Sequence, residues 1–328
     1  MLQNSSNTEN ASTFRVRDFS TGDEGPLFEL FNKSFRAPID LPIWNWKYRD
    51  HPWGHKNTVG VLHGQIVAHY GSFFLRAQYL GNEFLVLLPG DSAADPNAHH
   101  GLAYVKTASQ HLKEIIESQS FEFGYGFPGN AVAGLARLTL GYQAIERPEL
   151  LSVSTQDFDV SEGPTARAQN IRRHDEIPGF IDDLWTDFKK SVPLCLVRDR
   201  KYFEWRYHQK PGNAYTFYST TDGESFFILK VDQEKISLMD YLYVQGKEAS
   251  FLSGLTCIIK TLGEKNRMTF CLFPPKQKFF IRALKKNLIL DQAPQDYLLV
   301  YYPFKKGTFE QALKNRELHY TLGDYDVY

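Results

Sequence analysis

Cysteine is scarce. The 328 residues hold three, Cys195, Cys257 and Cys271, with no CxxC spacing. A disulfide framework and a four-thiolate zinc site are therefore excluded, and the three read as buried free thiols in a reducing compartment. An excess of either charge is also missing. Lys and Arg total 37 against 38 Asp and Glu, a formal net charge of −1. That leaves no broad basic surface for unspecific nucleic-acid binding. Long apolar runs are lacking too: the longest surrounds Phe84–Pro89, against roughly 20 residues for a membrane-spanning helix. The first residues, Met1–Ser6, have neither the basic nor the apolar region of a signal peptide. These absences predict a cytoplasmic protein with no membrane insertion and no nucleic-acid partner. No metal-ligand spacing stands out, and no metal is expected.

Aromatic residues, in contrast, are plentiful: 25 Phe, 18 Tyr and 5 Trp. Some of them mark an internal repeat. Trp44-Asn45-Trp46-Lys47-Tyr48 followed by Pro52 is answered by Phe203-Glu204-Trp205-Arg206-Tyr207 followed by Pro211, at an offset of 159. Both read aromatic, any residue, Trp, basic, Tyr, then Pro four residues on. Phe127-Pro128 with Gly141-Tyr142 is answered by Phe273-Pro274 with Asn287-Leu288, keeping an internal spacing of 14. Upstream, the helical periodicity of Leu27, Phe28, Leu30 and Phe31 matches that of Phe180, Ile181, Leu184 and Trp185.

Each copy reads alike: strand, helix, Trp/Tyr segment, three alternating strands, helix, strand, short helix, closing strand. The three strands are Thr58–Val61, Gln65–Phe74 and Phe84–Pro89 in the first copy. In the second they are Tyr215–Ser219, Phe226–Val231 and Lys235–Leu242. His63-Gly64 and Asp222-Gly223 suit hairpin turns. This predicts an α+β fold of two tandem domains, each a mixed, mostly antiparallel sheet flanked by helices. The expected boundaries are a disordered arm at 1–12, a first domain at 13–155, a linker at 156–169 and a second domain at 170–328.

The stretch Gly90-Asp91-Ser92-Ala93-Ala94-Asp95-Pro96-Asn97-Ala98-His99-His100-Gly101-Leu102-Ala103 carries an apolar strand through a loop into a helix. A helix entered through small residues presents unpaired N–H groups to an anion. This strand–loop–helix and the late Phe-Pro strand end resemble the GNAT family of acyl-CoA-dependent N-acyltransferases. The family's pyrophosphate loop reads Gln/Arg-x-x-Gly-x-Gly/Ala. Gly101 and Ala103 fit its last two positions, while Ala98 departs from the first, where His99 and His100 supply polar contacts. The matching region of the second copy, Asp240–Leu255, has no such turn, so only the first copy is expected to bind coenzyme A.

The resemblance implies carbonyl polarisation by strand backbone around Leu87–Ala93, with Leu88, Ala93, Leu102 and Asn130 beside the coenzyme. Asp91, at the strand end, is a candidate base or ammonium anchor. Tyr125 and Tyr142 are candidate acids for the leaving thiolate. His69, alternating with apolar neighbours, is a candidate for the cleft. The Trp-Lys-Tyr segment and Gly323-Asp324-Tyr325-Asp326 are similar to tandem proteins of bacterial surface-glycan pathways such as O-antigen and polysaccharide biosynthesis. The expected function is transfer of an acyl group from acyl-CoA to the amine of a nucleotide-linked amino sugar. A basic cluster, Lys276, Lys278, Arg282, Lys285 and Lys286, offers phosphate contacts or a solvated helix face. A Fem-type peptidyltransferase and a non-enzymatic module on a decayed scaffold are the alternatives. A monomer or weak oligomer is expected.

Overall fold

The computed structural model describes residues 14–35, 39–98, 102–145, 149–156, 170–212, 214–233, 235–262, 267–272, 291–292, 298–305, 308–315 and 317–324. Within them the strands are β1 (Arg15–Asp18), β2 (His55–Leu62), β3 (Gln65–Tyr79), β4 (Asn82–Ala94), β5 (Phe121–Gly126), β6 (Gln143–Ala144), β7 (Glu149–Ser154), β8 (Ile171–His174), β9 (Leu194–Leu196), β10 (Tyr215–Thr220), β11 (Ser225–Val231), β12 (Lys235–Tyr243), β13 (Arg267–Leu272), β14 (Asp291–Gln292) and β15 (Val300–Pro303). The helices are α1 (Glu24–Ser34), α2 (Leu41–Trp44), α3 (Leu102–Ser118), α4 (Asn130–Thr139), α5 (Ile181–Phe188), α6 (Arg200–Phe203), α7 (Glu248–Leu262) and α8 (Thr308–Lys314).

Two sheets form. One runs β1-β2-β3-β4-β5-β15-β6, with β9 pairing the far end of β3; the other runs β14-β7-β13-β12-β11-β10-β8. Each is antiparallel except for one parallel pair, β4/β5 in the first and β12/β13 in the second. The expected mixed, mostly antiparallel α+β architecture is therefore what forms. The strands run longer than their apolar cores, because ladder hydrogen bonds continue past the last buried side chain. β3 alone spans 15 residues. The sheets also exchange strands: β7 lies in the second sheet, and β15 sits between β5 and β6 of the first.

The Trp/Tyr segments close as helical turns. Asp40 accepts from Ile43 N at 3.0 Å to cap α2, and Asp199 accepts from Tyr202 N at 2.8 Å to cap α6. Each four-residue helix then widens into a five-residue π turn, Asn45–Arg49 and Glu204–His208. Their tryptophans meet between the sheets. The Trp46 and Trp205 rings stack with centroids 5.3 Å apart, and each indole N–H donates to the other residue's carbonyl, at 2.7 and 3.1 Å.

The main core lies between the sheets, from Phe73, Leu75 and Leu88 to Tyr202, Phe226 and Leu242. On the other face of the first sheet, α3 buries Tyr104, Ala108, Leu112 and Ile115, a helical stripe. His111 of that stripe is held between Thr58 Oγ1 at 3.0 Å and Ser72 Oγ at 2.8 Å. Among the described residues no helix is long and apolar enough to cross a membrane.

Candidate active site

Parallel pairing of β4 with β5 ends at Leu87 opposite Gly124. Beyond that point β4 continues to Ala94 while β5 turns away along β15. The two strands splay, and the opening is a cavity of about 300 Å³. Leu88–Ser92 form one wall and Gly126–Gly129 the other; Tyr70, Tyr104, Val132, Ala136 and Tyr142 close the helical side, with Phe35 opposite. Backbone N–H groups beside a splayed strand need an outside acceptor, so this is where a carbonyl oxygen would be held.

Asp91 sits at a bulge. Register jumps from Gly71/Gly90 to His69/Ala93, and Asp91 takes φ +50°, a left-handed conformation that Asp tolerates. Side chains hold it there. Lys47 Nζ lies 2.9 Å from Asp91 Oδ2, with the two side chains only 7% and 14% exposed, and Tyr48 Oη donates to the same oxygen at 2.9 Å. The Trp-Lys-Tyr segment therefore serves this strand.

His69 does not face the cleft. It is wholly buried, with Nδ1 2.8 Å from the Asp91 carbonyl and Nε2 3.0 Å from the Asn57 side-chain amide. Burial pushes its pKa down to about 4, against the Asp91 carbonyl contact, which raises it; nearby Lys47 lowers it further. The buried neutral ring packs between the Asp91 carbonyl and the Asn57 side chain and so clamps the bulge. Gly71 is needed beside it, since a Cβ there would lie 2.7 Å from His69 Cε1 and 2.8 Å from Tyr48 Oη.

Tyr125 lies on the far side of β5. It is buried, faces the space between the sheets, and its hydroxyl has no hydrogen-bond partner among the described residues. Burial and the neighbouring Asp324 push its pKa well above 10. The hydroxyl-bearing residues that line the cleft are Tyr70, Ser92, Tyr104 and Tyr142, of which Tyr142 was anticipated from the sequence. Tyr70 and Tyr142 share a hydrogen bond of 2.9 Å. Burial raises Tyr104 to about 12, although Ser92 bonds its hydroxyl and opposes the shift. Tyr142 is raised too, chiefly by burial.

The remaining predicted residues scatter. Leu88 lines the cleft. Ala93 is buried on β4, and Ala98 and Ala103 pack with Val67 and Ala68 in a small apolar cluster. Leu102 is 58% exposed at the start of α3. Asn130 is the first residue of α4, after the cap Gly129. His99, His100 and Gly101 lie outside the described residues, as do Phe273-Pro274 with Asn287-Leu288, the basic cluster 276–286 and Asp326. Asp324 is buried against Arg198, 2.7 Å away, and does not reach the cleft. Sequence reasoning missed Tyr70, Tyr104 and Phe35. Tyr104 alone had a local signal, three residues past Gly101 in the first turn of a helix.

The second sheet repeats part of this arrangement. Tyr207 Oη donates to Asp240 Oδ2 at 2.9 Å, and Asp240 follows a register shift at Met239. Here the space is filled. Arg198, fully buried, bridges Asp240 at 2.8 Å and Asp324, and Arg206 Nε donates to Gly323 O at 3.1 Å. Tyr207 stands so close to the turn that a Cβ on Gly323 would fall 1.7 Å from its hydroxyl.

No family model and no curated protein matches the sequence. Solved structures do. A protein of unknown function from Enterococcus faecalis, described as a probable N-acyltransferase, superposes with TM-score 0.70 at 13% identity over 90% of this chain and 73% of its own. A GCN5-related N-acetyltransferase from Kribbella flavida gives TM-score 0.66 at 13% identity over 89% and 71%. Saccharomyces cerevisiae N-myristoyltransferase with bound myristoyl-CoA gives 0.52 at 10% identity over 89% and 78%. At these identities the likeness establishes the fold: the chain has the architecture of GCN5-related N-acetyltransferases.

Proposed function

We propose that this chain is an acyl-CoA-dependent N-acyltransferase that acylates the amine of a nucleotide-linked amino sugar. The observation that carries the reading is the splay of β4 from β5 over an apolar cleft beside the start of α3. The β4 backbone past Leu87 polarises the thioester carbonyl. Tyr142 and Tyr104, with raised pKa values, stay protonated and give a proton to the leaving thiolate. Asp91 borders the cleft with its charge already engaged by Lys47, so in this reading it holds the β4 bulge and the backbone beside the thioester in place.

Residues 13–155 form the donor half in this reading, and residues 170–328 a second copy that has given up the coenzyme. Electrostatics support one coenzyme site. The first turn of α3 carries no acid. The start of α7 faces Asp187, which accepts from Gln245 N at 2.7 Å, and carries Glu248 in its first turn, with Glu224 2.9 Å from Lys247. Carboxylates there repel a pyrophosphate. The second copy reaches the cleft through Val300 alone among the described residues. The acceptor assignment is supported by the similarity to surface-glycan proteins, and Phe35 and Phe127 offer ring faces for a base.

Calorimetric titration with coenzyme A should show one site per chain, and thiol release from acetyl-CoA should follow addition of nucleotide-linked amino sugars. Two equivalent sites would make the second copy a working catalytic half. Binding without release to any amine would favour the non-enzymatic module, and transfer of an aminoacyl group from aminoacyl-tRNA to an amine, with free tRNA as the leaving product and no thiol released, would favour the peptidyltransferase.

A further inference from the structure

Leu88 is the first β4 residue past the last parallel pair, and it is 3% exposed. Leu87 points to the α3 face, so Leu88 points to the opposite one, between the sheets. The cleft has two sides. Tyr70, Tyr104, Ala136, Tyr142 and Val300 belong to the α3 core, whereas Leu88 and Phe35 belong to the core between the sheets.

Leu88 also lines a second space. A small space of about 10 Å³ lies behind it, among Trp46, Phe73, Leu196 and Trp205, with Arg206 and Asp324 at its edge. Leu196 and Asp324 line both that space and a third, of about 20 Å³, edged by Ala77, Phe123, Leu299 and Leu313. A series of small, mainly apolar voids therefore runs inward from the cleft, and the Leu88 side chain is the partition at its mouth.

We infer that Leu88 is the end wall of the acyl site and restricts the donor to short acyl groups. This rests on the acyltransferase reading above. A thioester carbonyl held by the β4 backbone, with its pantetheine arm on the α3 side, directs the acyl carbons through the splay onto Leu88. Voids of this size beyond the wall hold no alkyl chain. Truncating Leu88 joins the cleft to the first void, and an apolar hole left by a missing leucine side chain stays dry and accepts apolar ligands. Each methylene accommodated or refused changes binding roughly 10- to 200-fold at most.

The test is calorimetric and needs no acceptor. Coenzyme A, acetyl-, butyryl- and octanoyl-CoA are titrated into wild type, Leu88→Ala and Leu88→Val. Wild type should bind acetyl-CoA at least tenfold more tightly than octanoyl-CoA. Leu88→Ala should shift that ratio at least tenfold toward the longer chain. Leu88→Val should shift it in the same direction by less, and it carries the test if thermal melting shows that the alanine variant fails to fold. An unchanged ratio in a folded variant, or a wild type indifferent to chain length, overturns the inference and leaves the acyltransferase reading standing. Failure of wild type to bind any form of coenzyme A overturns both.

Discussion

Asp91 has more to do than its place at a strand end suggests. Its carboxylate neutralises Lys47, which has almost no access to water. Removing one partner of a buried pair leaves an uncompensated charge, which costs about 3–5 kcal/mol. Asp91→Asn keeps the shape and one acceptor oxygen but loses the charge. It should lower stability by about 3 kcal/mol, discounted toward 2 because Asp91 keeps some solvent contact. Denaturant unfolding would measure this. A pure base would behave differently: turnover would fall roughly 10²–10⁴-fold with the unfolding midpoint unchanged.

The exchange of strands ties together elements distant in sequence. β15 pairs with β5 through Val300/Gly126 to Pro303/Phe123, and with β6 through Val300/Ala144 and Tyr301/Gln143. β9 covers the far end of β3 from Ala77 to Tyr79. A fragment ending at residue 160 therefore lacks the strand that separates β5 from β6 and exposes the edge of β5. Unpaired edges template aggregation. The fragment alone should be insoluble, and co-expression with residues 161–328 should restore soluble protein that co-purifies as a pair. A soluble, monodisperse fragment in size-exclusion chromatography would show that β15 is dispensable.

The whole molecule buries several histidines in neutral form. His69 is lowered to about 4 and His51 to about 3, each mainly by burial, and His111 and His319 lie well below 6.5 for the same reason. An unfolded chain takes up protons at these rings below pH 6.5 while the folded one does not. Stability therefore falls as pH drops, with His69 alone costing about 3 kcal/mol between pH 7 and 4. Asp324, raised to about 6 mainly by burial, works in the opposite sense: folded protein holds its proton longer, which favours the fold as pH falls. Four rings outweigh one carboxyl. Melting temperature should decline steadily from pH 6.5 to 4, and His69→Gln should flatten the decline. A flat profile in wild type would mean that these rings charge without opening the fold.

The sequence by itself determined the elements and their order. Apolar alternation marked the principal strands, and the matched Trp-basic-Tyr segments marked where both wide turns form but not that they are helical, because periodicity and a repeated spacing are local properties. The resemblance to the GNAT family pointed to the stretch from Leu87 to Ala93, where the splay and the bulge occur. Tertiary structure decided which face each side chain presents. Strand alternation says that Tyr125 and His69 share a face with their second neighbours, but not which face borders the cleft. Both turned inward. Of the tyrosines at the cleft, Tyr142 was anticipated, whereas Tyr70 of β3 and Tyr104 of α3 join it only when α3 and α4 pack on the sheet. The exchange of β7 and β15 was equally hidden, since a strand's pattern records that it is buried and not which sheet buries it.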